Sequence, residues 1–240
     1  MTPQANGIED GSIDSSSLFY ERKMRDVNTM NNPAPIHYQL LRTQVYEYLR
    51  EAMRTGKIRA GMFISINQVV KELGMSRTPL RDALLQLQTE GFVTFLPQRG
   101  IRINEITDQD LEDIYEMLGA LDSRALLSVC GKLGAKEVSR MKKINERMLQ
   151  VIDKKKFNRY FELNTDFHNV YLDLSTNQPL LKHVNILRQR LFEFNFRSEW
   201  LEKGSPITYT EHLTMIDLIE KGQGREAADF MRDVHCSRNW

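Results

Sequence analysis

The sequence predicts a mainly α-helical chain in two parts, a three-helix unit closed by a small β-hairpin and then an antiparallel bundle of about six helices. Three observations carry this expectation. Apolar residues recur at helical spacing through most of the chain after residue 35. Two short β-prone runs, FVTF and GIRIN, flank the connection LPQR, and no convincing strand follows them. Charge is also unevenly divided. Residues 36–104 hold ten Lys/Arg against five Asp/Glu, whereas residues 105–240 hold twenty against twenty-two. The chain's overall net charge of +1 therefore conceals one basic segment, the part suited to meet a polyanion.

Residues 1–33 are rich in Ser, Asn, Asp and Gly and lack a sustained apolar period, so they are expected to form a disordered polar tail. From Ile36 the pattern changes. Leu40, Leu41, Val45, Tyr48, Leu49 and Met53 fall at helical spacing, and Gly56 can end that helix. RAGMFIS reads as a turn and a short extended piece, and NQVVKELG as a short helix stopped by Gly74. A third helix runs from about Arg77 to Glu90 and closes at Gly91. Six more helices are expected at about 108–130, 135–153, 157–173, 178–201, 206–221 and 224–238. Ser205 followed by Pro206 reads as a helix start, with proline where its missing N–H is harmless. The expected boundaries are thus a tail to residue 33, a first domain at 34–106 and a second at 107–240.

The third helix raises the functional question. Ser76 stands at its N-cap, Thr78 and Pro79 in its first turn, and Leu80, Leu84, Leu87 and Phe92 supply an inward face. Arg77, Thr78 and Arg81 then project from the opposite side, at the positive end of the helix dipole. Such a start can meet phosphate with backbone N–H groups and guanine edges with arginine. The helix before it, the turn at Gly74 and the hairpin with Arg99 at its tip complete a winged helix-turn-helix.

The stretch LGMSRTPLRDALLQLQTEGFVTFLPQRGIRI closely resembles the signature of the GntR family of bacterial transcription regulators. That resemblance implies a domain that binds double-stranded operator DNA, with Arg77, Thr78, Arg81, Arg99 and Gly100 as the contacting set. Many relatives carry an arginine or glutamate at the start of the second helix, where this chain has Asn67.

The helical half resembles the FCD ligand-binding domain of the FadR branch, through DLEDIYEMLGALDSRAL, LNTDFHNVYLDLSTNQPLL and EHLTMIDLIEKGQGREAADFMRDVH. Asn164 and His168 are four apart and share a helix face, while His212 and His235 lie on segments that can converge with it in an up-down bundle. Three imidazoles and a carbonyl oxygen suit Zn²⁺, Ni²⁺ or another late first-row divalent ion. In the resembled domain one Asp or Asn and three His hold a metal that helps hold the effector. An amide at position 164 should bind more weakly than a carboxylate. Leu118 stands where many relatives carry an arginine, which points to an altered or less anionic ligand, with Arg124, Arg188 and Arg190 as replacement cations.

The expected protein is therefore a homodimeric, metabolite-responsive regulator, most often a repressor in this family, that reads a palindromic operator and binds a small effector, taken to be a carboxylate. Two readings stand beside it: a regulator for which the metal is itself the signal, and a metal-dependent enzyme activating water. Phe192, Phe194, Phe196 and Trp200 are expected to fill a core or dimer face. His37 and His183 are expected to be ordinary imidazoles. Cys130 and Cys236, with no CxxC pair, read as thiols in a reducing compartment. No apolar run is long enough to span a bilayer and no signal pattern opens the chain, so a soluble cytoplasmic protein without membrane partners is expected.

Overall fold

The computed structural model describes residues 35–97, 99–194 and 198–237, and side chains at 38–97, 99–156, 158–191 and 203–237. The polar tail, Phe196, and the side chains of His37, Phe192, Phe194 and Trp200 lie outside the described residues. The chain divides into two compact units, the first ending at Asn104 and the second beginning at Glu105.

The first unit runs α1 (Pro35–Arg54), β1 (Phe63–Ile64), α2 (Ile66–Leu73), α3 (Arg77–Thr89), β2 (Val93–Leu96) and β3 (Gly100–Ile103). The expected hairpin is present, with Phe95 opposite Ile101. β1 pairs with the far side of β3, giving an antiparallel sheet of order β1-β3-β2. The sequence reading made this piece extended but gave it no partner, because two residues carry no period. Val45 and Leu49 of α1 pack with Leu80, Leu84, Leu87, Phe92, Ile101 and Ile103, each at most 1% exposed. Burying a side chain of this size contributes roughly 1.5–3 kcal/mol. Leu40, counted toward the same face, is exposed, and Leu41 takes the inward position. A partly buried polar clasp fixes α1 to the end of α3. Tyr46 donates to Glu90 at 2.6 Å, Arg50 donates to Tyr46 at 2.8 Å, and the Arg50 guanidinium lies 4.1 Å from the centre of the Phe92 ring.

The second unit contains α4 (Asp108–Val129), a 3₁₀ turn at Cys130–Lys132, α5 (Ala135–Ile152), α6 (Phe157–Leu172), α7 (Gln178–Phe194), α8 (Ser198–Glu220), α9 (Gly224–Phe230) and a π-helical turn at Met231–His235. Thr107 opens α4 with a reciprocal cap: its hydroxyl accepts from the Asp110 amide, and the Asp110 carboxylate accepts from the Thr107 amide. The interior is largely apolar, with Ile114, Leu126, Met141, Met148, Leu163, Phe167, Val184 and Met215 almost fully buried.

The structure corrects two expectations. The helix expected to start at Pro206 begins at Ser198 and runs through Pro206. A Ser-Pro pair reads as a helix start from sequence alone, since proline removes one helical hydrogen bond wherever it stands in the interior. Here Ser205 is 2% exposed, and tertiary packing carries the helix past it. The last helix does not continue to residue 238 as an α-helix. It widens into the π turn that carries His235, and such turns re-aim side chains at functional sites.

Gly224 marks a close approach. A Cβ there would lie 2.5 Å from the Cys130 Sγ and 2.6 Å from its Cβ. Gly224→Ala is therefore expected to destabilise the second unit by about 1–3 kcal/mol through overpacking, read as an earlier urea midpoint with an unchanged slope. An unshifted midpoint would show that the contact relaxes freely.

Candidate functional site

In the first unit the local sequence builds one exposed polar surface. Ser65 caps α2 by accepting from the Gln68 amide, and Gly74 ends that helix at φ 61°, a left-handed conformation that favours glycine. Met75 is buried, so the turn is anchored and α3 starts at a fixed place. Ser76 occupies the N-cap of α3, but its hydroxyl makes no capping hydrogen bond. Its expected capping role is thus corrected, and the hydroxyl stays exposed. Arg77, Thr78 and Arg81 are exposed beside it, and Arg99 and Gly100 are exposed at the hairpin tip. Arg77 donates to the Asn67 amide oxygen at 3.0 Å, which ties the start of α3 to the start of α2. An open cleft lined by Phe63, Ser65, Asn67, Arg77, Arg99 and Gly100 joins the hairpin to these helices. Sequence reasoning gave Ser65 no role. A serine before a short helix was the available signal.

In the second unit α6, α8 and the π turn bring His168, His212 and His235 together, each offering a ring nitrogen within 4.8 Å of the others. His168 and His235 approach through their Nε2 atoms at 3.2 Å, and the Nε2 of His212 is buried without a hydrogen-bond partner. Every Nδ1 is engaged on the far side. That of His168 meets the Tyr171 hydroxyl at 2.8 Å, that of His212 the Asn145 amide oxygen at 3.1 Å, and that of His235 the Glu211 carboxylate at 2.8 Å.

These partners assign the tautomers. Tyr171 gives its own proton to Asp122 at 2.6 Å, so its oxygen accepts from His168 Nδ1–H. The Asn145 amide group donates to the Tyr209 carbonyl at 3.1 Å, which turns its oxygen toward His212. Glu211 accepts from His235. All three Nε2 atoms then present lone pairs to one another. Two lone pairs at 3.2 Å repel unless a proton or a metal cation stands between them. Histidine ligands held by outer hydrogen bonds of this kind are the usual support of a metal site. The set fits a divalent cation.

Electrostatics favour the metal-binding form. Burial holds His168 and His212 well below the ordinary histidine pKa. The nearby Arg188 charge and the neighbouring imidazoles depress both further. Asn164, one turn before His168 on α6, has a buried Oδ1 without a hydrogen-bond partner. Arg188 is 6% exposed and pairs through Nη2 with Asp122, itself 1% exposed, while its Nη1 is buried with no partner. Burial opposes the Arg188 charge, and Asp122, together with Tyr171 and Cys236, more than restores it. Of the three candidate cations, Arg124 is exposed, Arg190 is half-buried with its Nε unpartnered, and Arg188 is enclosed near the histidines. Leu118 is buried in the core.

Sequence reasoning missed Asn145, Glu211, Tyr171 and Asp122. Two of them carried a signal. Asn145 sits on the apolar stripe of Met141, Ile144 and Met148, and Asp122 on that of Leu118, Ala125 and Leu126. A polar residue on a buried face needs a partner.

Residues 41–103 match the model of the bacterial regulatory proteins of the gntR family, and residues 113–235 match that of the FCD domain. Relatives point the same way. The chain is 28% identical over 166 residues to the HTH-type regulator YdhC of Bacillus subtilis, covering 66% of this chain and 70% of that one. It is 27% identical over 175 residues to the Nta operon transcriptional regulator of Aminobacter aminovorans, covering 72% and 80%. The fold is similar to that of Escherichia coli McbR/YncC, with a TM-score of 0.63, 19% identity, and 80% and 93% of the two chains covered. The protein is a transcriptional regulator with a winged helix-turn-helix and a helical effector-type domain. It belongs to the GntR family and carries an FCD domain; the matched families and relatives are regulators, not enzymes. No helix among the described residues is long and apolar enough to cross a membrane.

Proposed function

We propose that the protein is a dimeric, metabolite-responsive repressor that binds a palindromic operator, and that His168, His212 and His235, with Asn164, hold a divalent cation, Zn²⁺ or Ni²⁺, in the effector site. The observation that carries the metal reading is the convergence of three Nε2 lone pairs with every Nδ1 satisfied elsewhere. The cation would supply Lewis acidity toward an anionic ligand. Arg188 adds a buried positive charge beside it, which favours a carboxylate effector. On the DNA side Ser76, Arg77, Thr78, Arg81, Arg99 and Gly100 form the contact set, and a two-fold dimer would match two operator half-sites. The effector alters DNA binding only through unequal affinity for two arrangements of the protein.

The uncharged amide at Asn164 favours a second reading, in which conditional metal occupancy is the signal. Titrating Ni²⁺ into metal-free protein on operator DNA separates the two: release by metal alone supports the metal sensor, and release only with a carboxylate supports the metabolite sensor. Protein purified without chelator should carry about one equivalent of a divalent transition metal per chain by elemental analysis. His212→Ala should reduce that to about a tenth or less, abolish the effector response and leave operator binding in place. Unchanged metal content in the variant would remove the histidines from the site.

A further inference from the structure

The start of α3 carries a side chain that is already held. Arg77 is exposed, and its Nη2 donates to the Asn67 Oδ1 at 3.0 Å. Arginine only donates, so the amide turns its oxygen toward Arg77 and its Nδ2 away. Asn67 is the second residue of α2, is exposed, and lines the same cleft as Arg77, Arg99 and Gly100. Its partner is therefore a residue of the surface that meets DNA. The chemistry of this partner matters. A carboxylate at position 67 would engage the guanidinium as a two-pronged ion pair and cancel its charge. A second arginine there would repel it. The neutral amide takes one of five guanidinium N–H groups and leaves the charge in place, while a bidentate guanine contact needs two.

Resting on the DNA-contact reading above, we infer that Asn67 is a positioning residue for sequence recognition, holding Arg77 in the pose that reads one guanine in each operator half-site. Residues at the start of a recognition helix are the ones that reach base edges, and Arg77 is the first residue of α3. A free arginine loses rotamer freedom when it binds, and one held beforehand loses less. The hydrogen bond also limits the directions from which the guanidinium can approach a base, so it sharpens the choice among bases. Asn67 is not itself placed to read. Asparagine recognises adenine by presenting its oxygen and its amino group together, and the Asn67 oxygen is taken by Arg77. The effect of Asn67 on recognition must then pass through Arg77, and the two residues must be coupled.

The test begins with selection of duplexes from a randomised DNA library by the full-length wild type. Binding of the selected duplex and its single-base-pair variants is then measured at low salt, where weakened proteins still bind. Wild type should enrich a guanine in each half-site, and replacing it should weaken binding roughly 5–150-fold. Arg77→Ala should lose that preference. Asn67→Ala should keep the wild-type urea midpoint and still bind the selected duplex, but its preference at the same base pair should fall by about threefold or more. Its preferences elsewhere should match wild type. Adding Asn67→Ala to Arg77→Ala should change nothing further at that base pair. Asn67→Asp should weaken binding to all sequences and lower the salt slope by about one per half-site. A full guanine preference in Asn67→Ala would overturn the inference, as would wild-type affinity and slope in Asn67→Asp. A preference lost at a different base pair would make Asn67 a reader in its own right and overturn the positioning role. No enriched sequence for wild type, or an intact preference in Arg77→Ala, would instead overturn the DNA-contact reading of Arg77.

Discussion

Arg81→Ala is expected to weaken operator binding by about 1–3 kcal/mol at each half-site, and by up to twice that for a symmetric dimer engaging both, without changing stability. The argument starts from the helix. Leu80, Ala83, Leu84 and Leu87 are fully buried and fix the rotation of α3 about its axis. Arg81 follows Leu80 by about 100° around the helix and is exposed, so it projects to solvent from the flank of the buried stripe, one turn into the helix. Ser76, Arg77 and Thr78 are exposed ahead of it, where backbone N–H groups are free of helical partners and the helix dipole is positive. A DNA backbone approaching that end finds phosphate ligands first, with Arg81 placed behind them to reach a base edge or a further phosphate. Exposed substitutions away from caps and core usually change stability by no more than about 0.5 kcal/mol, so lost binding is not explained by unfolding. The salt dependence separates the two kinds of contact. A phosphate contact lowers the salt slope by about one per site and affects all sequences alike, whereas a base contact relaxes specificity at one position. Arg140→Ala, exposed in the second unit, serves as the control with unchanged binding. If Arg81→Ala binds operator with wild-type affinity and slope, α3 is not the reading helix.

That surface was legible because each of its signals is local. Gly74 stops one helix, the apolar stripe from Leu80 to Leu87 orients the next, and FVTF–LPQR–GIRIN closes on itself. Each signal spans fewer than about fifteen residues and follows from backbone conformation or helical period. β1 was left unpaired because its partner lies far along the chain and two residues cannot declare a register. Pro206 misled for a related reason: the local rule for a Ser-Pro pair was sound, but burial of Ser205 outweighed it. In the second unit the three histidines could be named from sequence, whereas their orientation could not. Orientation depends on Asn145, 67 residues from His212, on Glu211, 24 residues from His235, and on the π turn. The ion pair that encloses Arg188 spans 66 residues between α4 and α7. Spacing rules relate neighbours on one element. They do not tell which two faces of a six-helix bundle meet.

Asp122→Ala is expected to cost about 3–5 kcal/mol, the largest stability effect proposed for this chain. Asp122 is 1% exposed, and both its oxygens are used, one by Arg188 and one by the Tyr171 hydroxyl at 2.6 Å. Removing the carboxylate strands a guanidinium that is 6% exposed and already has one unpartnered nitrogen. It also leaves the Tyr171 hydroxyl without its acceptor, in a place where burial and Asp122 together hold that phenol far above its usual pKa. Most of the cost belongs to the uncompensated charge rather than to lost attraction. The double variant Asp122→Leu with Arg188→Met should therefore recover most of it, as replacement of buried ion pairs by apolar residues often does. Urea unfolding of the second unit reads both effects. A single variant within about 1 kcal/mol of wild type would show that water reaches Arg188. The recovered double variant also separates stability from function. Its bundle should fold, yet Tyr171 would have no carboxylate to fix its proton, and His168 Nδ1 would lose a defined acceptor. Loss of such outer support typically weakens metal binding by 10–100-fold. A double variant with wild-type stability but weakened Ni²⁺ binding would show that Asp122 orients a ligand as well as neutralising Arg188; wild-type Ni²⁺ affinity would confine Asp122 to the fold.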